Sequence, residues 1–363
     1  MKQMVTEPPQ KPLLAEIRIG ITGHRNVSAS PELLREIHAI LAEIDGILED
    51  TPYRYRVISP LAEGADRIVA KAVLEWKAGN PVLSPALDVL LPPFEKEDYL
   101  RDFGTQSSRD EFEGLLEKAA STVVLPAHGT REEEYEAVGH AVVDRCDLLI
   151  AVWDGKPASG QGGTSDIVNY ARETGRAYVH INPAGGGVPG RSGTDVLFES
   201  LHRLNILNRE QTPAGTAGEI HWLSETLRNG CKKYGLPVDL VAPFEEEIIP
   251  AFARMDQLAI LYQKRHLNAG TVIALLATLA VATVTVQVLF LPDHPELLWL
   301  EFLEMAGILG GIVFVSRRGE WHRKWIDYRI IAEQLRAYPF LALAGMDLSE
   351  GGAKQTPRIG PER

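Results

Sequence analysis

The pattern of hydrophobic and polar positions divides the chain into two unlike parts. Between residues 16 and 182, short apolar runs alternate with amphipathic stretches whose apolar positions recur with helical spacing. Strands are predicted at 16–22, 54–60, 87–92, 121–126, 147–153 and 176–182. Strands that alternate with helices form a parallel sheet covered by helices on both faces. The pattern therefore predicts an α/β fold for this part.

Two apolar runs in the last third of the chain predict membrane-spanning helices. The first, 267–291, contains no Asp, Glu, Lys, Arg or His; as a helix it would be about 37 Å long, against roughly 30 Å of bilayer hydrocarbon. The second, 297–316, follows a short polar link at 292–296, so the pair predicts an α-helical two-span hairpin. The alternative, a buried helix of a soluble domain, is rare for an uninterrupted apolar run of this length.

The charges that flank the two runs predict their orientation. Lys264, Arg265 and His266 precede the first run, Arg317 and Arg318 follow the second, and the link between the runs has no Lys or Arg. Cationic residues favour the cytoplasmic side of a membrane. We therefore expect an inner (cytoplasmic) membrane protein with both termini in the cytoplasm.

Composition narrows the possible partners. The formal charge of −12 does not favour binding to nucleic acid. The two cysteines, Cys146 and Cys231, have a spacing that suits no metal motif, and a cytosolic location argues against a disulfide between them. We expect no metal, no cofactor and no nucleic-acid partner.

The chain divides into five predicted segments. These are a disordered tail at 1–15, an α/β domain at 16–183, a connector with short helices at 184–250, a two-transmembrane unit with flanking helices at 251–340, and a disordered tail at 341–363. The helices that flank the spans each carry an apolar stripe, with Tyr262 on the first and Tyr328 on the second. The two helices either pack together under the membrane or lie separately in its interface.

Glycine-bearing loops follow three of the predicted strands. Ligands of parallel α/β sheets bind at the carboxyl ends of the strands, where glycine allows close approach and helix N-termini attract anions. The candidate ligand-binding residues are Gly20, Thr22, Gly23, His24, Arg25, Gly64, Ala65, Asp66, Gly162, Gly163, Thr164 and Ser165. A tight turn without a ligand explains any single loop, Thr164 or Ser165 can simply cap a helix, and Arg25 can form a surface ion pair.

These loops resemble those of a known superfamily. The stretches Ile19–Arg25 and Ser59–Asp66, and the Gly160-x-Gly162-Gly163-Thr164 loop, look like the SLOG superfamily, a Rossmann-like fold shared by LOG enzymes, DprA proteins and nucleotide sensors of bacterial defence. The resemblance implies that residues 16–183 bind a nucleotide or a nucleotide-derived second messenger. The chain lacks the leading Pro-Gly-Gly of the LOG loop, and Asp166 stands near the position of its catalytic Glu.

The two-span architecture and the W-x-x-x-W…A-E-x-L-R pattern at Trp321 to Arg336 resemble the SLATT class of membrane effectors. Together the two resemblances imply an effector that binds its signal, forms a homo-oligomer and perturbs the lipid bilayer or opens a pore, in antiphage defence. We expect no catalytic residue on this reading. The alternatives are a membrane-anchored LOG-like nucleotide phosphoribohydrolase and a scaffold whose glycine loops are structural.

Three residues of the second span are candidates for a pore or an assembly surface. Glu304 interrupts an apolar helix, where an ionised carboxylate is unfavourable unless it is paired or hydrated. Gly307 and Gly311 form a G-x-x-x-G pair of the kind that allows close helix packing. We expect these residues to face a shared centre between subunits. The alternative is a hairpin packed within one subunit, with Glu301 and Glu304 at the outer interface.

Overall fold

The computed structural model describes residues 12–77, 83–127, 129–156, 162–184, 190–290, 298–318 and 320–343. These residues form two compact units, which divide between Glu210 and Gln211. The first is called here the α/β unit and the second the helical unit. The predicted link 292–296 and most of both predicted tails lie outside the described residues.

The α/β unit contains one seven-stranded sheet in the order β4-β3-β2-β1-β5-β6-β7. Its strands are β1 Ala15–Gly23, β2 Tyr53–Ser59, β3 Ala86–Leu91, β4 Ser121–Val124, β5 Leu148–Val152, β6 Ala177–Ile181 and β7 Gly190–Ser192. The first six are parallel, and β7 pairs antiparallel with β6. The sheet and its helices confirm the predicted α/β, Rossmann-like class. The short strand β7 lies in a glycine-rich stretch that gave no strand signal.

Helices cover both faces of this sheet. They are α1 Pro31–Ile47, α2 Ala65–Leu74, α3 Lys96–Leu100, α4 Gln106–Leu116, α5 Arg131–Arg145, α6 Thr164–Glu173 and α7 Thr194–Arg209. The larger core joins Ile17, Ile19 and Ile21 of β1 to α1, α2 and α4, and the smaller core joins the other face of β5 to α5 and α6. Full burial of each such side chain contributes about 1.5–3 kcal/mol.

Local sequence signals set the helix starts. Pro31 occupies the first turn of α1, and the Ser30 hydroxyl accepts a hydrogen bond from the Leu33 amide at 3.1 Å. The first amides of a helix have no hydrogen-bond partner within it. The Ser30 hydroxyl supplies one such partner, and Pro31 has no amide hydrogen that would need one.

Helix α7 belongs to the α/β unit. The Asn208 side chain donates to the Leu13 carbonyl at 2.9 Å and accepts from the Leu13 amide at 2.9 Å. It therefore satisfies both backbone groups of a residue that lies just before β1. It also donates to the Thr51 hydroxyl at 3.1 Å, while Asn205 accepts from that hydroxyl at 3.0 Å. Because these amides are buried, each lost partner would leave an unsatisfied polar group.

The helical unit consists of α8 Thr216–Tyr234, a 3₁₀ turn Val238–Val241, a π turn Phe244–Ile248, α9 Ile249–Phe290, α10 Leu298–Arg318 and α11 Trp321–Leu343. Near its start, α9 packs on α11, with the Tyr262 and Tyr328 rings 5.7 Å apart. The two apolar stripes that flank the spans therefore meet, which was one of the two arrangements predicted for them.

The second half of α9 has a different surface. From Leu267 onward its large apolar side chains are mostly exposed, as are those of α10, which packs alongside it. Among the described residues, one helical stretch, Phe244–Phe290, is long and apolar enough to cross a membrane, and its most apolar segment is not buried in the protein. By length and composition, this stretch indicates membrane association.

Candidate functional site

A crevice of about 290 Å³ lies at the carboxyl ends of β1, β2 and β5. The strand order reverses at β1, with β2 on one side and β5 on the other, so the crevice occupies the switch point at which α/β sheets bind ligands. Its lining includes nine of the candidate ligand-binding residues: Thr22, Gly23, His24, Arg25, Asp66, Gly162, Gly163, Thr164 and Ser165.

The loop after β1 is held against both neighbouring strands. The His24 amide donates to the Val152 carbonyl at 3.0 Å, and the His24 carbonyl accepts from the Ala65 amide at 3.1 Å. Gly23 precedes His24 in this loop, and an added Cβ at Gly23 would clash with Ala65 and Val152. The absence of a side chain thus lets the loop sit close to β5 and α2, which fixes the next two residues.

Arg25 extends from this loop over the crevice. Its guanidinium carbon lies 5.2 Å from the centre of the Tyr135 ring. Within the described part of the chain no carboxylate lies within ion-pairing distance of Arg25, so the surface ion pair considered for it is not formed there. An exposed cation over an aromatic face can bind an anion without first breaking an ion pair.

The loop after β2 buries a carboxyl group. Asp66 is 4% exposed; it accepts a hydrogen bond from the Ser59 hydroxyl at 3.2 Å and from the Ala62 amide at 3.4 Å. Burial raises the pKa of Asp66 to about 7, although both hydrogen bonds and the positive charges of Arg25 and Arg67 act in the opposite direction. The Asp66 carboxyl therefore changes charge near neutral pH.

This loop also contains an unusual backbone conformation. Leu61 has a φ of +57°, which a non-glycine residue adopts only at a free-energy cost. Two side chains hold it there: the Ser59 hydroxyl accepts from its amide at 3.0 Å, and Arg67 donates to its carbonyl at 2.9 Å. Arg67 is itself buried over the Phe103 ring, 4.4 Å from its centre. Such strain concentrates at functional sites.

The third loop ends at the N-terminus of α6. Gly162 has a φ of +77°, and the Gly163 amide donates to the Asp166 carboxylate at 3.3 Å. Helix α6 therefore starts at Thr164 with the positive end of its dipole at the crevice, which suits an anion. Asp166 is engaged in capping this helix. Residues 157–161 of the loop lie outside the described residues.

A charged cluster lies beside this loop. The Asp154 carboxylate lies 3.0 Å from His24 Nε2 and 3.0 Å from Lys156 Nζ. Hydrogen bonds from His24 and Lys156 hold the pKa of Asp154 well below its usual range. Asp154 thus orients the imidazole of His24 and the ammonium of Lys156, both of which line the crevice.

Three candidate residues do not line the crevice. An added Cβ at Gly20 would lie 2.8 Å from Cys146 Cβ, so this glycine serves the packing of β1 on the end of α5. Gly64 has a φ of +76° and lies against the carbonyl oxygen of Arg25, and Ala65 begins α2 beneath His24. These residues shape the loops without facing the cavity.

Other lining residues carried no motif signal. Tyr99 comes from α3, Tyr135 from α5, and Trp153 and Lys156 follow β5. They supply aromatic surface and one more cation, and only the tertiary fold brings them to the same edge. The crevice therefore combines cations, a helix N-terminus and aromatic rings, which suit an anionic ligand with a flat ring. Among the described residues no group of three or more His, Cys, Asp or Glu could hold a metal ion.

The candidate assembly residues occupy different environments in the helical unit. Glu304 is 7% exposed and accepts a hydrogen bond at 3.0 Å from the hydroxyl of Thr283 on α9 of the same chain. Gly311 faces Ile273 of α9, since an added Cβ would lie 3.5 Å from its Cγ1 atom. Gly307 faces open space. Glu304 and Gly311 thus contribute to packing within the chain, and Gly307 remains on the surface.

Comparison with known proteins gave no further constraint on these sites. No protein-family model and no curated protein matches this chain.

Proposed function

We propose that the chain is a membrane effector whose SLOG-like α/β unit binds a nucleotide-derived signal in the crevice at the switch point of the sheet. One observation carries the proposal. Arg25, over Tyr135, faces the same crevice as the N-terminus of α6 and lacks a carboxylate partner among the described residues. Phosphate and aromatic base are the two features that these groups recognise.

The geometry suggests how such a ligand would be held. A phosphate would bind at the Thr164 amide at the start of α6, in the crevice that Arg25 also lines, and the base would contact Tyr99 or Tyr135. The volume of about 290 Å³ lies just below the usual range of about 300–1,000 Å³ for small-molecule sites, which favours a ligand no larger than a mononucleotide.

A binding experiment with matched variants tests this proposal. The full chain in lipid nanodiscs is titrated with mono- and cyclic nucleotides, and heat of binding is measured. Arg25→Ala should weaken binding by about 1.5–3 kcal/mol, roughly 10- to 150-fold, because it removes a charge-assisted contact. The control Arg35→Ala removes the same charge at an exposed ion pair with Glu32 and should leave affinity unchanged. Equal affinities in both variants would place the site elsewhere.

A second variant tests the loop before α6. Gly163→Leu places a bulky side chain at the start of the helix, in the lining of the crevice. We expect it to abolish nucleotide binding while the circular dichroism of the chain stays unchanged. Retained affinity in a folded variant would contradict the phosphate position proposed above.

The membrane part of the proposal is a two-span hairpin formed by α9 and α10, in the inner (cytoplasmic) membrane with both termini in the cytoplasm. Its support is the exposed apolar surface of both helices and the cationic flanks of the hairpin. Single cysteines in the 292–296 link and next to Lys264, in a cysteine-free background, would test the topology. A membrane-impermeant thiol reagent should label only the link from the outside; labelling of both positions or only of the second would refute it.

Assembly and membrane perturbation complete the proposed activity, with antiphage defence implied by the family resemblance. The open face around Gly307 supports contact with a second copy, since small residues allow close helix approach. Gly307→Leu should reduce ligand-dependent crosslinking between chains in liposomes and the leakage of an enclosed dye. Full crosslinking in that variant would exclude Gly307 from the contact.

Asp66 favours a second candidate function, hydrolysis of a nucleotide N-glycosidic bond. A carboxyl group with a pKa of about 7 in a ligand crevice is suited to proton transfer at neutral pH. Incubation with nucleoside monophosphates and chromatography of released base separates the two functions. Turnover that is lost in Asp66→Asn would establish hydrolysis, whereas binding without released base would support the sensor.

A further inference from the structure

A second cavity, of about 380 Å³, lies within the helical unit where α9 passes the end of α10 and the start of α11. We call it the interfacial pocket. Its lining consists of Arg265, Asn268, Ala269, Val272, Ile273, Gly311 and Trp321. The proposed nucleotide site does not include any of these residues.

One end of the interfacial pocket is cationic. The Arg265 guanidinium lies 5.2 Å from the centre of the Tyr262 ring, and the Lys324 ammonium lies 5.1 Å from the same centre. No carboxylate among the described residues lies within ion-pairing distance of Arg265. Of these two cations Arg265 lines the pocket, and a lining cation without a carboxylate partner among the described residues can bind an anion.

The other end of the pocket is apolar. Ala269, Val272 and Ile273 form one wall, and Gly311 forms part of the opposite wall without a side chain to fill the space. Val272 is 55% exposed, and Leu275 on the next turn is 65% exposed. The pocket is therefore continuous with the apolar surface of α9 that would face lipid.

We propose that the interfacial pocket binds one anionic phospholipid. The phosphate would contact Arg265 and the Asn268 amide, and one acyl chain would lie along Val272 and Ile273 over Gly311. A cation at one end and an apolar lining elsewhere match an amphiphile, whereas a nucleotide would also need polar partners for its sugar. The anionic cytoplasmic leaflet supplies such lipids at the cationic flank of a membrane helix. The inference rests on the proposed insertion of α9 into a membrane.

Lipid retention by the full chain of 363 residues tests the inference. The protein is reconstituted in nanodiscs of phosphatidylcholine with phosphatidylglycerol, released into mild detergent, and analysed for bound lipid by native mass spectrometry. We expect one retained phosphatidylglycerol. Arg265→Gln should lower its retention about tenfold, whereas the neighbouring Lys264→Gln should not, because Lys264 does not line the pocket.

A second pair of variants addresses the acyl-chain end. Gly311→Leu fills the pocket and should reduce lipid retention, whereas Gly310→Leu adds the same volume where the structure shows open space and should not. Glycerol 3-phosphate, which has the head group without the chains, should neither bind nor compete. Competition by glycerol 3-phosphate, or equal retention in each variant and its control, would overturn the inference.

Failure of the lipid site can be distinguished from failure of the proposed membrane insertion. Resistance of the protein to alkaline carbonate extraction measures membrane insertion independently of bound lipid. An inserted protein without selective retention would refute only the lipid site. A protein extracted by carbonate would refute both the lipid site and the membrane part of the proposed function.

Discussion

The buried carboxyl of Asp66 should make the α/β unit less stable as pH rises from about 4 to about 7. Burial raises its pKa from the ordinary value of 3.8 to about 7. Below about pH 4 the carboxyl is protonated in the folded and the unfolded chain, so it has no effect. Between the two pKa values only the folded chain holds the proton, and stability falls by about 1.4 kcal/mol per pH unit. The loss totals about 4 kcal/mol at most and is complete above about pH 7.

Asp66→Asn should remove this dependence. The amide retains an oxygen for the Ser59 hydroxyl and the Ala62 amide, so the fold keeps its contacts without the titrating group. Residues 1–210 include the complete sheet and both cores, and their urea unfolding can be followed by tryptophan fluorescence from pH 4.5 to 8.5. The variant should exceed the stability of the wild type by about 1 kcal/mol at pH 4.5, where the unfolded chain is already mostly ionised, and by up to about 4 kcal/mol above pH 7.

A second variant, Ser59→Ala, tests whether the pH dependence follows the pKa of Asp66. The Ser59 hydroxyl stabilises the charged form of Asp66 and so lowers its pKa. Ser59→Ala should therefore move the pH at which stability becomes constant to a higher value. Parallel stability curves for wild type and Asp66→Asn would mean that the carboxyl ionises normally in the fold, and the explanation based on burial would be rejected.

Three further substitutions test other parts of the structure. Gly64→Ala adds a Cβ at a φ of +76° against the Arg25 carbonyl, and urea unfolding should show a loss of at least about 1 kcal/mol. Asn208→Leu removes the buried bonds to the Leu13 backbone and should destabilise residues 1–210 by about 1–3 kcal/mol in the same assay. Glu304→Leu should leave the melting temperature of the detergent-solubilised full chain unchanged or raised, because it replaces a buried carboxylate by an apolar side chain.

The hydrophobic pattern was sufficient for the interior strands of the sheet because each has a buried apolar face, and β5 is buried on both faces. Leu148–Val152 is fully buried, and a short continuous apolar run of this kind is typical of a strand covered on both faces. The stretch that follows β6 gave no such signal. Strand β7 is three residues long, and its place at the edge of the sheet comes from backbone pairing with β6, which the identity of its side chains does not specify.

Glycine alone did not identify the residues that line the crevice, because some glycines face the cavity and others make room for the packing of neighbouring atoms. Gly163 faces the cavity, whereas Gly20 makes room for Cys146 and Gly64 makes room for the backbone at Arg25. No local pattern separates these roles. Tyr135 could not be found from sequence either, because its position over the crevice depends on how α5 packs against β1. Chain order predicts which loops share an edge, and packing decides which side chains face the ligand.

Glu304 was predicted to face a centre shared between subunits, but the structure buries it against α9 of the same chain. The Thr283 hydroxyl lies 3.0 Å from Glu304 Oε1 and 3.1 Å from the Leu279 carbonyl one turn earlier. Because a hydroxyl has one proton, Thr283 shares that proton between the Leu279 carbonyl on its own helix and Glu304 Oε1. The contact with Thr283 instead ties α10 to α9 at this position, since moving α9 by one turn in one direction would place the apolar Leu279 beside the carboxyl. In the proposed assembly, contact with a second copy would involve the open face at Gly307, where no atom of the described residues lies within 4 Å of an added Cβ.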